Sequence, residues 1–170
     1  MKKPLLIVVI VVLLSSFATS RNVKDSNEQQ INVVLDQWHK AAAAADFERY
    51  FESMTSDAVF IGTDASENWN KNQFMAYAKP FFDKGKAWSF TAVERHVYLD
   101  KSGKIAWFDE LLNTQMKICR GSGVLVKKGK NWKIQHYVLS MTVPNENSAE
   151  VIKIKTASEE KVLAKFIEHR

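Results

Sequence analysis

A single cysteine, Cys119, is all the chain contains. No disulfide can form within it, so stability must come from a packed core. With no cysteine beside the N-terminal apolar segment, a lipoprotein anchor is excluded. His39, His96, His136 and His169 lack the spacing of zinc ligands. Neither a P-loop nor a nucleophile elbow occurs, and Arg120-Gly121-Ser122-Gly123 is too short for a phosphate loop and reads as strand. No metal and no cofactor is therefore expected. Lys127, Lys128, Lys130 and Lys133 crowd one hairpin, but no aromatic-laced basic stripe accompanies them, which argues against a nucleic-acid partner. They read as lysines guarding strand ends. Internal repeats and low-complexity linkers are absent too. The apolar run Leu5–Leu14 is ten residues long, well short of the roughly 20 that a membrane-crossing helix needs.

That run nevertheless has a meaning. Lys2 and Lys3 precede it and Ala18-Thr19-Ser20 follows it with small side chains, the layout of a cleaved secretory signal peptide over residues 1–20. The expected location is periplasmic or secreted, without a stable membrane anchor after cleavage. Loss of the two lysines leaves 22 basic residues against 19 acids, a net charge near +3. About 150 residues then remain, enough for one domain with a genuine core but not for two, and 46% of the chain is apolar.

Helical spacing dominates the first half. Ser26 with Gln29 suggests a capping box, and Ile31, Val34, Leu35, Trp38, Ala42 and Ala45 form one apolar stripe. Asp46 is placed to cap a second helix from Phe47 to Met54. Asp57–Gly62 reads as a strand, and Asn70 with Gln73 opens a third helix. That helix is expected to stop near Lys79, because Pro80 disfavours helical geometry there. From Ala87 the period changes to two: Trp88–Leu99 and Ile105–Met116 form one hairpin, Arg120–Val126 and Trp132–Val143 another, and Pro144 ends the sheet. The fold class is α+β, with helices covering one face of an antiparallel sheet. A domain over 26–146 is followed by an extension, 147–170. There Val151–Lys155 alternates as an edge strand does, and Ser158 caps a short helix carrying Val162, Leu163, Phe166 and Ile167.

Polar groups stand inside the later apolar strands: Asp109, Glu110, Arg120, His136 and Tyr137. Buried, each needs a partner or a wet cavity. Alternation lets only one of Asp109 and Glu110, and one of His136 and Tyr137, face inward; register leaves open which. A carboxylate and His136 on the same side form an acid–base pair, with Arg120 to hold an anionic or carbonyl oxygen. Against this stands a structural ion pair between Arg120 and a carboxylate, with Tyr137 and His136 as hydrogen-bond partners. Trp38, Phe60, Trp69 and Trp107 serve equally as pocket walls or as core. Cys119, beside Arg120, reads as a buried structural thiol.

Several motifs together resemble the SnoaL-like domain of the nuclear transport factor 2-like superfamily. They are Ala45-Asp46-Phe47, then Asp57-Ala58-Val59-Phe60-Ile61-Gly62-Thr63-Asp64 with Glu67 and Trp69, and Ala106-Trp107-Phe108-Asp109-Glu110. Arg120–Leu125, Trp132-Lys133-Ile134, His136-Tyr137 and Pro144-Asn145-Glu146 complete the match. The resemblance implies a cone-shaped barrel in which a strongly bent sheet wraps a long helix and leaves a pocket at its open end. It also implies a homodimer formed through the sheet. Ketosteroid isomerases of that superfamily use a tyrosine, a base aspartate and a protonated aspartate; the matching positions here hold Trp38, Gly62 and Ser122, which excludes that mechanism. Three functions follow as expectations: binding of a small, largely apolar molecule; a lyase or isomerase using Asp109 or Glu110, Arg120 and His136; or a non-catalytic oligomerisation module.

Overall fold

The computed structural model describes residues 26–168. The expected signal segment, 1–20, lies outside them. Helix α1 covers 26–43. Residue 26 is already helical, so Ser26 is not the expected cap, and its hydroxyl accepts instead from the Gln30 amide at 3.3 Å. Ile31, Leu35, Trp38 and Ala42 are buried along one stripe, as their spacing requires. Asp46 accepts from the Arg49 N–H at 3.1 Å and starts α2, Phe47–Glu52.

Strand β1 is Met54–Ile61 and β2 is Asn68–Asn70. Asn70 and Gln73 then close a reciprocal capping box at the start of α3, Lys71–Asp83. This helix runs through Pro80 rather than stopping before it. Phe74, Ala78 and Phe82, four residues apart, are all buried, and burying Phe82 outweighs the one backbone bond that Pro80 removes.

The remaining strands are β3 (Phe90–Leu99), β4 (Ile105–Thr114), β5 (Lys117–Lys128) and β6 (Asn131–Met141). The sheet has six strands in the order β2-β1-β6-β5-β4-β3. It is strongly curved and unclosed, with register shifts at Ala92/Glu94 and Val124/Leu125, where an extra residue bends the strand. One pair departs from the antiparallel pattern: β1 runs parallel to β6. Residues on α1 meet inner-face residues of β3, β5 and β6, through Asp36 with Arg95, Asn27 with Lys127, and Trp38 with Tyr137. The core therefore lies between α1–α3 and the concave face.

The extension differs from its expected strand and short helix. After a 3-10 turn at Asn145–Asn147, one helix, α4, covers Ser148–Glu168. Five alternating residues do not outweigh a surrounding run of good helix formers such as Ala149, Glu150, Ala157, Glu159 and Glu160.

Gly121, on the inner face of β5, makes room for the centre of the molecule. A Cβ there would collide with the Tyr137 hydroxyl and come within 3.0 Å of Glu110 Oε1. Gly121→Ala should lower stability by about 2 kcal/mol or more, read as a drop in the urea midpoint at unchanged m-value.

Candidate functional site

Two features occupy the concave side: a buried charged cluster and an aromatic hollow. Alternation on β4 turns Glu110 inward, where its side chain is fully enclosed. Its Oε1 accepts from the Tyr137 hydroxyl at 3.1 Å and lies 2.8 Å from His39 Nε2, while Oε2 accepts from Arg95 Nε at 2.8 Å. Arg95 reaches on to α1, donating through Nη1 to Asp36 Oδ1 at 2.9 Å and to Asn32 Oδ1 at 3.2 Å. Burial pushes the Glu110 carboxyl upward, but the His39 hydrogen bond and the His39 and Arg95 charges outweigh it. The group titrates below its ordinary 4.5. Tyr137 is raised well above its usual value, first by burial and then by the Glu110 charge, so it stays protonated and donates.

This cluster joins α1, β3, β4 and β6 through one carboxylate. Each Glu110 oxygen already has a partner, so the group is occupied in holding elements together. His39 is nearly enclosed as well, although it lines a shallow recess of about 330 Å³ with Asp36, Lys40 and Thr91.

The hollow lies where the C-terminal ends of β1 and β6, the start of β3 and the β4–β5 turn meet α3. It holds about 150 Å³. Phe60, Trp69, Phe74 and Trp88 supply its walls, with Tyr77 beside them and Met116 and Leu139 filling in. Trp69 stacks on Tyr77 with centroids 4.4 Å apart, and Phe60 on Phe74 at 3.9 Å. Its polar side chains are Thr63, Gln115 and Glu67. Glu67 is fixed by its loop: its carbonyl accepts from Gly62 N at 2.9 Å, and its Oε2 accepts from Asp64 N at 3.1 Å. The carboxylate folds over Gly62, where any Cβ would collide with it.

The residues expected at a site are divided among three places. Phe60 and Trp69 line the hollow. Trp38, Glu110 and Tyr137 are enclosed in the core. Asp109, Arg120, His136 and Trp107 lie on the opposite face of the sheet. There Asp109 Oδ1 is 3.3 Å from His96 Nδ1 and 3.9 Å from Arg120 Nη1, and Trp107 stacks on Tyr98. Register keeps Arg120 and His136 apart: Val124, not Arg120, sits opposite His136, and four residues of strand span about 13 Å. Asp109, Arg120 and His136 therefore share a face, but His136 is held away from the Asp109–Arg120 pair and the three do not form one acid–base group. The side chains that do meet Glu110, His39 and Arg95, were missed. Their signal was present: Asn32, Asp36 and His39 form a polar row at helical spacing, and Arg95 shares a strand face with Val97 and Leu99.

A model of the SnoaL-like domain matches residues 31–144. The chain belongs to the SnoaL-like domain family. This SnoaL-like domain is similar to a nuclear transport factor 2-like protein of unknown function from Pseudomonas putida KT2440 (15% identity, TM-score 0.61, 72% of this chain and 92% of that one). It is similar also to a provisionally named dehydratase of the same family from Streptomyces avermitilis (13% identity, TM-score 0.62, 71% and 99%). A domain of unknown function with a cystatin-like fold from Nostoc punctiforme matches over 85% of this chain and 96% of its own (13% identity, TM-score 0.62). At these identities the likeness is one of fold. No curated protein matches the chain.

The depressed Glu110 pKa fixes the sign of an acid response. A carboxylate held below its unfolded value stabilises the fold fully above about pH 4.5 and loses that contribution as pH falls through the folded value. Stability measured by urea unfolding should fall as pH drops below about 4.5, and Glu110→Gln should flatten that fall.

Proposed function

We propose that this SnoaL-like domain is exported, with residues 1–20 removed, and binds a small, largely apolar molecule in the hollow at the end of its sheet. The observation that carries this reading is the lining. Trp69, Tyr77, Phe60, Phe74 and Trp88 surround a space of about 150 Å³, with few polar side chains to orient an occupant, the composition that small-molecule sites favour. The acid–base alternative has less support, because Arg120 and His136, although on one face with Asp109, are held about 13 Å apart by the strand register.

A homodimer through the outer sheet face belongs to the same proposal. Tyr98, Ile105 and Trp107 on that face are 43%, 45% and 47% exposed, an apolar area of the kind that marks a contact surface. Polar neighbours such as His96, Asp109 and Arg120 would form its rim.

Native mass spectrometry of the protein taken from its own compartment tests three parts together. The expected species is a dimer of chains lacking residues 1–20, each carrying one small adduct. Trp69→Ala should lose the adduct and remain folded; a wild-type chain that carries none contradicts the binding reading. Trp107→Glu should yield monomers with the adduct retained, and an unchanged dimer would place the contact elsewhere.

A further inference from the structure

The charge of the hollow narrows what it can hold. Among the described residues its lining contains no lysine, arginine or histidine, and Glu67 is its one carboxylate, although the chain carries a formal net charge of +5. Glu67 is not free to swing away, because Asp64 N and Gly62 N tie its carboxylate and its carbonyl to the loop. Only Oε2 receives a hydrogen bond from the described residues, which leaves Oε1 with acceptor capacity. An anion entering here would meet repulsion and no cationic donor. A neutral hydrocarbon would leave a carboxylate desolvated against it, at a cost that rises as water is expelled. A positive charge removes that cost and gains from the ring quadrupoles around it.

We propose that the hollow selects a small organic cation of the alkylammonium class, with Glu67 as its counter-charge and Trp69 and Tyr77 as its aromatic wall. This deepens the binding reading above and rests on it. The compact volume suits a methylated ammonium head rather than a long polyamine. The Tyr77 phenol is raised above its usual value, first by burial and then by the Glu67 charge, so the field of that carboxylate reaches the ring beside it. Gly62 is part of the same device, since a side chain there would displace the carboxylate from the mouth.

Choline and its neutral isostere 3,3-dimethylbutan-1-ol separate charge from shape. Each is titrated into the full chain, with binding followed by tryptophan fluorescence, which Trp69 and Trp88 report, and by calorimetry. Choline should bind about tenfold or more tightly than the alcohol. Glu67→Gln, which keeps an acceptor for Asp64 N, should weaken choline severalfold, leaving only the preference that the rings supply, while the alcohol's affinity stays unchanged. Equal or tighter binding of the alcohol to the wild type overturns the cation assignment but leaves a neutral pocket in place. A choline affinity that Glu67→Gln leaves unchanged overturns the role given to that carboxylate. Failure of both probes to bind overturns the pocket reading together with this one.

Discussion

Glu110 is the constraint around which the rest is arranged. A carboxylate with no exposed surface is tolerable only when its lone pairs are matched, and three elements supply the partners: α1 gives His39, β3 gives Arg95 and β6 gives Tyr137. Arg95 in turn reaches back to Asp36 and Asn32 on α1. One side chain on β4 thus sets where the long helix lies across the curved sheet, how far it is inserted and how it is rotated. Apolar packing of Ile31, Leu35 and Trp38 drives the helix onto the sheet without specifying register; directional bonds to a buried charge do specify it.

That placement leaves an aromatic-lined hollow beyond the reach of α1, at one end of the concave side. Around Glu110 the interior is closed by α1, with Trp38 packed edge-on to Tyr137 at 4.7 Å. Towards the ends of β1 and β6 the covering element is α3, whose Phe74 and Phe82 are buried while Tyr77 stacks on Trp69 at the rim. The result is a firm, charged middle and a π-rich hollow beside it, with Phe60 touching both through Tyr137 and Phe74. The hollow is built into the fold, because two of its walls, Phe60 and Phe74, are also core residues.

Much of the architecture was legible in local sequence. Asp46 and Asn70 with Gln73 marked helix starts, and the period-two strands from residue 90 onward lay within a few residues of their expected bounds. The SnoaL-like motifs and the cone they imply agree with the family match. Non-local pairing was not legible: β1 and β6 are some seventy residues apart, so nothing in either strand announces that they run parallel. Nor can alternation say which of two adjacent polar residues turns inward. Glu110 and Tyr137 do, while Asp109 and His136 do not, and a shift of one residue would have reversed all four. Pro80 and the alternating Val151–Lys155 misled for a common reason: each is a weak local preference, overridden by burial of Phe82 in one case and by neighbouring helix formers in the other.

The central claim, that Arg95 and Glu110 act as one clamp between helix and sheet, is tested most directly by a double-mutant cycle of Arg95→Met and Glu110→Leu, read by urea unfolding near neutral pH. Each single change strands a buried charge and should cost about 3–5 kcal/mol. The double change should cost far less than their sum, because the charge that each single change strands is itself absent from the double variant. Additive losses would contradict the account and show that the two residues support the fold independently.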